Sequence, residues 1–330
     1  MTAPDHLDAD RLSAPGGYPF WVVDAASWRR PAAPIQALVI GVDRAAALPE
    51  TVPHVFDLLL TSAADAPRPW VSIDARDLDA DIERLTSAVS ANPFAATIAA
   101  QVLRLTEELP VADALTVESL AYSTLLGGAE FARWRRNAAI GAGTLTPPDP
   151  LIIERSDDRI TLTLNDPANH NAMTAAMRDA LYEALANALD DPTRPALMLR
   201  GAGRCFSTGG ALTEFGTAQD LAEAHAVRTL HSCARALDEL GERAAVRLHG
   251  ACVGSGIEVA AAAYRRIAAP DAWFQLPELA MGLIPGAGGT ASVARAIGRH
   301  RTLWMLLSGK RIGAARALDW GLVHAIEPDT

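Results

Sequence analysis

Cysteine is scarce in this 330-residue chain: Cys205, Cys233 and Cys252 are all it has. Neither a disulfide framework nor a zinc site can be built from that count and spacing, so a reducing compartment and no bound metal are expected. Positive charge is also in deficit, with 29 Lys and Arg against 39 Asp and Glu and a net charge of −10. That balance excludes a broad phosphate-binding surface, and no nucleic-acid partner is expected. No stretch approaches the roughly 18 uninterrupted apolar residues of a membrane span. The opening MTAPDHLDADRLSAPGGYPF puts acids and prolines where a secretory signal needs a basic start and an apolar run, so a cytoplasmic protein without membrane attachment is expected. There is no Walker A sequence and no G-x-S-x-G elbow around Ser207 or Ser255, which argues against a phosphate-loop enzyme and a serine hydrolase. What the chain does have is apolar residues, at 50%, enough for a large core.

Glycines and prolines crowd into 141–150 and break any helix there, so the expected domains are 1–143 and 151–330. Before the break, 37–42 and 69–73 read as strands and 52–60 as a short helix. Three helices are expected at 77–90, 93–109 and 113–126, the second capped by Asn92 ahead of Pro93. After the break, 151–155 and 160–164 read as a hairpin around Ser156, Asp157 and Asp158. Helix 173–189, strand 196–199, a long helix at 220–239, strand 245–248, helix 256–263 and strand 266–269 then alternate. Such alternation predicts parallel crossovers and an α/β layered core.

Two glycine-rich segments each follow a strand and open a helix. Gly201 to Leu212 is the first; it fails as a dinucleotide fingerprint because Phe206 stands where a third glycine belongs. His249 to Glu258 is the second. Paired turns of this kind can aim two backbone N–H groups at one oxygen, the geometry of an oxyanion hole. Glu258 lies among Ile257, Val259 and Ala260, and Glu278 among Leu276, Leu279 and Met281, contexts unsuited to surface charge. Two carboxylates in one site tend to split their protonation, one accepting a proton and the other giving it. His249, Cys205 and Cys252 read as structural, and Arg295, Arg299, His300 and Arg301 as a solvated basic face.

With these segments in order, the chain resembles the enoyl-CoA hydratase/isomerase, or crotonase, superfamily from about residue 151 to 330. The matching stretches are Leu164 to Pro167 with Asn169 to Met173, then Gly201 to Phe215, Gly250 to Glu258, and Leu276 to Thr290. The resemblance implies a crotonase-like (ClpP/crotonase) spiral of ββα units beside an N-terminal α/β and helical domain. It implies that the N–H groups of Gly210 and Ser255 hold the thioester oxygen of an acyl-CoA, that Glu258 and Glu278 bracket a water, and that Gly210, Ala211, Leu212 and Thr213 line the coenzyme A channel. Ala211 departs from the usual Asp, and Thr213 lacks the common positive charge. Retention of both acids, 20 residues apart, points to an enoyl-CoA hydratase or dehydratase of fatty acid metabolism. It needs no cofactor beyond the coenzyme A of its substrate, and a homo-oligomer, trimer or hexamer, is implied. Isomerisation, carbon–carbon cleavage and a non-catalytic acyl-CoA-binding subunit remain alternatives. The family's C-terminal helices are absent after Ile326, while residues about 80–137 resemble them, as if permuted to the front or left by a degraded second copy.

Overall fold

A computed structural model describes residues 10–29, 35–141, 147 and 149–328. The opening residues and most of the 141–150 break lie outside the described residues.

The first part of the chain builds a four-stranded, wholly parallel sheet in sequence order: β1 (Phe20–Asp24), β2 (Leu38–Asp43), β3 (Leu58–Thr61) and β4 (Val71–Ser72). Every residue of β2 is buried, as a central parallel strand covered on both faces requires. The helix expected at 52–60 does not form. A single 3-10 turn, Pro53–Val55, leads into β3, whose Leu58 and Leu60 register against Ile40 and Val71. A short apolar run carries no period that separates strand from buried helix, so neighbours on both sides decided its form. β1 is a further strand that its sequence did not announce.

Helices Leu78–Ala91, Pro93–Thr106 and Val111–Leu126 form as read, and Ala129–Asn137 is an addition. Asn92 does not cap the second of them. Its side-chain amide donates to Leu279 O at 2.9 Å and accepts from Arg133 at 2.7 Å. The free N–H groups of Phe94 and Ala95 instead meet the buried carboxylate of Glu130, each at 2.9 Å, where the helix dipole favours an anion.

The second part carries a six-stranded sheet in the order β13-β10-β8-β7-β6-β5, parallel except for the hairpin of β5 (Leu151–Arg155) and β6 (Arg159–Leu164). Its other strands are β7 (Ala196–Gly201), β8 (Ala244–Leu248), β10 (Arg265–Ala268) and β13 (Ala325–Ile326). A smaller sheet joins β9 (Ala251–Val253), β11 (Trp273–Gln275) and β12 (Ile312–Gly313). After both β8 and β10 the chain crosses from the large sheet into the small one, and this repeat generates a spiral of ββα units. The long helix expected at 220–239 is two, Leu221–Leu230 and Cys233–Leu240, because the Ser232 hydroxyl caps the second by accepting from Arg235 N–H at 3.3 Å. The helix expected at 256–263 is one turn, Ser255–Glu258, followed by the 3-10 turn Ala260–Ala262.

One buried apolar cluster includes Leu38, Ile40 and Leu60 from before the break, and Leu162, Leu164 and Trp304 from after it. Helix Arg299–Ser308 is the tie between them, and its basic residues are not a solvated face. Arg299 is buried and donates to Phe56 O and Pro53 O at 2.9 and 2.8 Å; Arg301 is buried and donates to Ala66 O at 3.0 Å. Cations spent on backbone carbonyls in the interior cannot serve a surface. No described helix is long and apolar enough to cross a membrane.

Candidate functional site

Buried Asn171 organises the first glycine-rich turn. Its amide donates to Ala202 O, Cys205 O and Phe206 O at 2.8, 3.0 and 3.0 Å, and its oxygen accepts from Asp166 N–H at 2.9 Å. The second turn lies alongside, with Phe206 N–H donating to His249 O at 2.8 Å, Ser207 N–H to Ala251 O at 3.1 Å and Val253 N–H to Ser207 O at 3.0 Å. His249 is structural, its Nε2 3.0 Å from Gly203 O.

Where the two segments end, each leaves a donor. Gly210 forms a parallel bridge with Met173 whose bonds are made by its neighbours: Met173 N–H to Gly209 O at 2.8 Å and Ala211 N–H to Met173 O at 3.1 Å. The N–H of Gly210 itself therefore faces away from that bridge. Ser255 is the first residue of its helical turn, a position whose N–H has no partner inside the helix. Gly254, with φ of 50°, sets the bend before it, and a Cβ there would stand 3.9 Å from Gly209 Cα. The two turns are in contact.

The same point on Gly254 locates the acids. A Cβ on Gly254 would be 2.7 Å from Glu278 Oε1 and 3.8 Å from Glu258 Oε1. Both carboxylates are buried, and they are held differently. Glu258 Oε2 accepts from the N–H groups of Ala287 and Gly289 at 2.7 and 3.2 Å. Burial pushes its pKa up to about 7, with those N–H groups working against the rise. Glu278 Oε2 has no hydrogen-bond partner among the described residues. Burial, then repulsion from Glu258, raises Glu278 well above the carboxylate range. The two carboxyls are therefore unlike in environment: Glu258 has two N–H donors that favour its charged form, and Glu278 Oε2 has none among the described residues.

A third buried carboxyl was not identified from sequence. Glu118, on helix Val111–Leu126, accepts from Gly288 N–H at 2.6 Å and from the N–H and hydroxyl of Thr290 at 2.7 and 2.6 Å. Burial and then Glu258 push it up to about 8. One helical turn on, Tyr122 packs its ring against Gly286, where a Cβ would come within 2.7 Å of it. Burial holds the Tyr122 phenol above its ordinary range. The available signal was a charge on the buried face of a helix, in line with Ala114 and Leu115.

A cavity of about 800 Å³ has Gly210, Ser255, Glu258, Glu278, Tyr122 and Met173 in its wall, and Glu118 lines a smaller recess that shares Met173 and Ala287 with it. Ala211 and Leu212 also line the larger cavity, whereas Thr213 is exposed and off the wall. Gly210 has no side chain for a local reason: a Cβ there would meet the Phe215 ring at 2.5 Å. The chemistry available is two N–H donors for an oxyanion beside one carboxyl able to take a proton and another able to give one.

The profile described as Enoyl-CoA hydratase/isomerase matches residues 155–330. The 2,3-dehydroadipyl-CoA hydratase of Escherichia coli (strain K12) is 33% identical over 183 residues, 54% of this chain and 69% of that protein. The fatty acid oxidation complex subunit alpha of Shewanella sp. (strain W3-18-1) is 32% identical over 184 residues, which are 54% of this chain and only 26% of the subunit. This chain thus spans about a quarter of the length of that relative. Among solved structures, enoyl-CoA hydratase from Thermoplasma volcanium GSS1 superposes with a TM-score of 0.50 at 30% identity, covering 55% of this chain and 72% of the other.

Proposed function

The chain belongs to the enoyl-CoA hydratase/isomerase family, and from that premise we propose that it adds water to, or removes it from, the C2–C3 bond of an acyl-CoA thioester. The observation that carries this reading is the convergence of two unlike carboxyls at Gly254. Isomerisation needs one acid to move a proton; hydration needs a base for water and an acid for carbon at once.

In the hydration direction, Glu258 removes a proton from water and the hydroxide oxygen bonds to C3. The C2–C3 π electrons shift toward the thioester carbonyl, whose oxygen gains charge between the N–H groups of Gly210 and Ser255. Collapse of that enolate takes the Glu278 proton onto C2. One water is consumed, and proton exchange between the two carboxyls through solvent restores the starting state. Each oxyanion donor contributes about 3 kcal/mol in sites of this type, and each acid or base about 10²- to 10⁴-fold in rate. No cofactor beyond the coenzyme A of the substrate enters the reaction. The helices 78–137 act as the cover of the acyl site, and Tyr122 in the cavity wall, with Glu118 one turn before it holding the loop at 288–290, supports that role.

The test is loss of enoyl absorbance when crotonyl-CoA or a bulkier 2-enoyl-CoA is mixed with the protein. Glu258→Gln and Glu278→Gln should each lower kcat by about 10²-fold or more while binding persists. Binding without turnover by the wild-type protein across the panel would overturn the reading and favour an acyl-CoA-binding subunit. If Glu258→Gln alone keeps activity, proton shuttling by a single acid is the better account.

A further inference from the structure

The cavity contains a cation that hydration of a plain hydrocarbon chain does not use. Arg228, on helix Leu221–Leu230, lines the same wall as Glu258 and Glu278. Its guanidinium lies over the Tyr122 ring, 4.9 Å from the centroid. Nε donates to Ser119 Oγ at 3.1 Å, and Nη2 to Ser119 O at 3.3 Å and to Ser123 Oγ. Among the described residues, Nη1 has no hydrogen-bond partner and no carboxylate forms an ion pair with Arg228. The other arginine on the wall, Arg178, is paired with Asp179 at 2.7 Å. Glu118 is near enough to act on Arg228 through its charge, but its oxygens are occupied by Gly288 and Thr290.

A guanidinium with its face on a ring keeps its in-plane N–H groups for hydrogen bonding, and the free pair on Nη1 suits a carboxylate oxygen. A half-buried cation without a counter-ion is costly, so an anion entering the cavity relieves that cost and an uncharged chain end does not. Position separates this residue from the mouth. Arg228 also lines a smaller recess shared with Glu118, Cys233 and Val259, behind the loop that holds Glu258, whereas exposed Leu212 and Thr217 are at the outer wall.

We propose that Arg228 selects the acyl end of the substrate, and that the chain acts on 2-enoyl-CoA thioesters whose acyl group ends in a carboxylate seated on Nη1 of Arg228. The proposal rests on the hydratase reading and names its substrate class. Both an acyl carboxylate and a coenzyme A phosphate are anions, and the experiment separates them.

The rate of hydration is measured for trans-2-hexenoyl-CoA and for its ω-carboxyl counterpart of equal chain length, with wild type, Arg228→Met and Ser123→Ala. The wild type should favour the carboxylated substrate in kcat/KM by roughly 100-fold. Arg228→Met should bring that ratio to near one, with the loss on the carboxylated substrate. Ser123→Ala, which removes two bonds between the helices, one from Arg228 and one to Leu221 O, and leaves the charge, should keep the ratio. A wild type that prefers the uncharged chain overturns the proposal, as does an Arg228→Met variant that loses both substrates equally, the result of phosphate binding or helix stapling. If the wild type hydrates neither substrate, the hydratase reading has failed. Calorimetric titration with the two saturated acyl-CoA analogues then decides the proposal separately, by whether an Arg228-dependent preference in Kd is present or absent.

Discussion

Glu118 and Glu258 grip one glycine-rich loop from opposite sides. Glu258 accepts from the N–H groups of Ala287 and Gly289, and Glu118 from those of Gly288 and Thr290. Successive amides of the loop go to different acids, Ala287 and Gly289 to one and Gly288 and Thr290 to the other, so the two carboxylates share it without competing. Each acid satisfies donors that would otherwise be buried without a partner, and each holds the loop against which the other is placed. The segment that supplies Glu118 is 140 residues before Glu258 in the chain.

Glu118 is accordingly expected to act as a positioning residue. In Glu118→Gln the size is kept, but the amide nitrogen faces N–H donors of the loop and at least one bond is lost. We expect kcat to fall about 10- to 100-fold with KM nearly unchanged, in line with the cost of leaving a buried donor unpaired. Repulsion from Glu118 is one of the smaller effects that raise Glu278, so the variant should move the basic limb of the pH–rate profile downward. Equal losses in kcat and folded fraction, with an unmoved profile, would mark a purely structural role.

The buried carboxyls make stability depend on pH. Glu118 is held up to about 8 and Glu258 to about 7, against an ordinary 4.5. Between 4.5 and those values the folded protein keeps protons that the unfolded chain has released, so their contribution is complete below 4.5 and lost as pH rises through about 8. His300 acts in the opposite sense, because burial lowers it from 6.5 to about 3 and the unfolded chain takes up its proton in that interval. Above 6.5 only the carboxyl effect is left. Melting temperature should therefore fall from about pH 6.5 to about pH 8, and fall less in Glu118→Gln. A wild-type profile flat across that interval would contradict the argument.

Gly254 tests the convergence of the acids directly. Gly254→Ala places a methyl 2.7 Å from Glu278 Oε1 on a backbone with φ of 50°. Strain of about 1–2 kcal/mol is expected in stability. Displacing the carboxylate should cost about 10²-fold in kcat. Circular dichroism and turnover measured on the same samples separate the two effects.

The first part of the chain should prove inseparable from the second. Arg299 and Arg301 donate to carbonyls of Phe56, Pro53 and Ala66, and Arg104, which pairs with Asp57, stands on a helix packed against Arg299–Ser308. A protein beginning at residue 147 would leave both arginines buried or exposed without partners and would uncover apolar surface. It should be insoluble or unfolded when expressed alone. A soluble, active fragment would show instead that the helices are an accessory.

Local sequence was enough for the alternation of strands and helices after residue 151, the two glycine turns, and the two acids in apolar surroundings, because period, turn chemistry and a charge among leucines are properties of neighbouring residues. It misjudged 52–60, where a leucine run took the form its flanking strands imposed, and the Arg299 to Arg301 cluster, whose acceptors are more than 190 residues away in sequence. Glu118 and Arg228 became site residues only when helix Val111–Leu126 was laid over the loop at 286–290. Burial and hydrogen-bond partners across such separations are set by packing, and no spacing rule along the chain carries them.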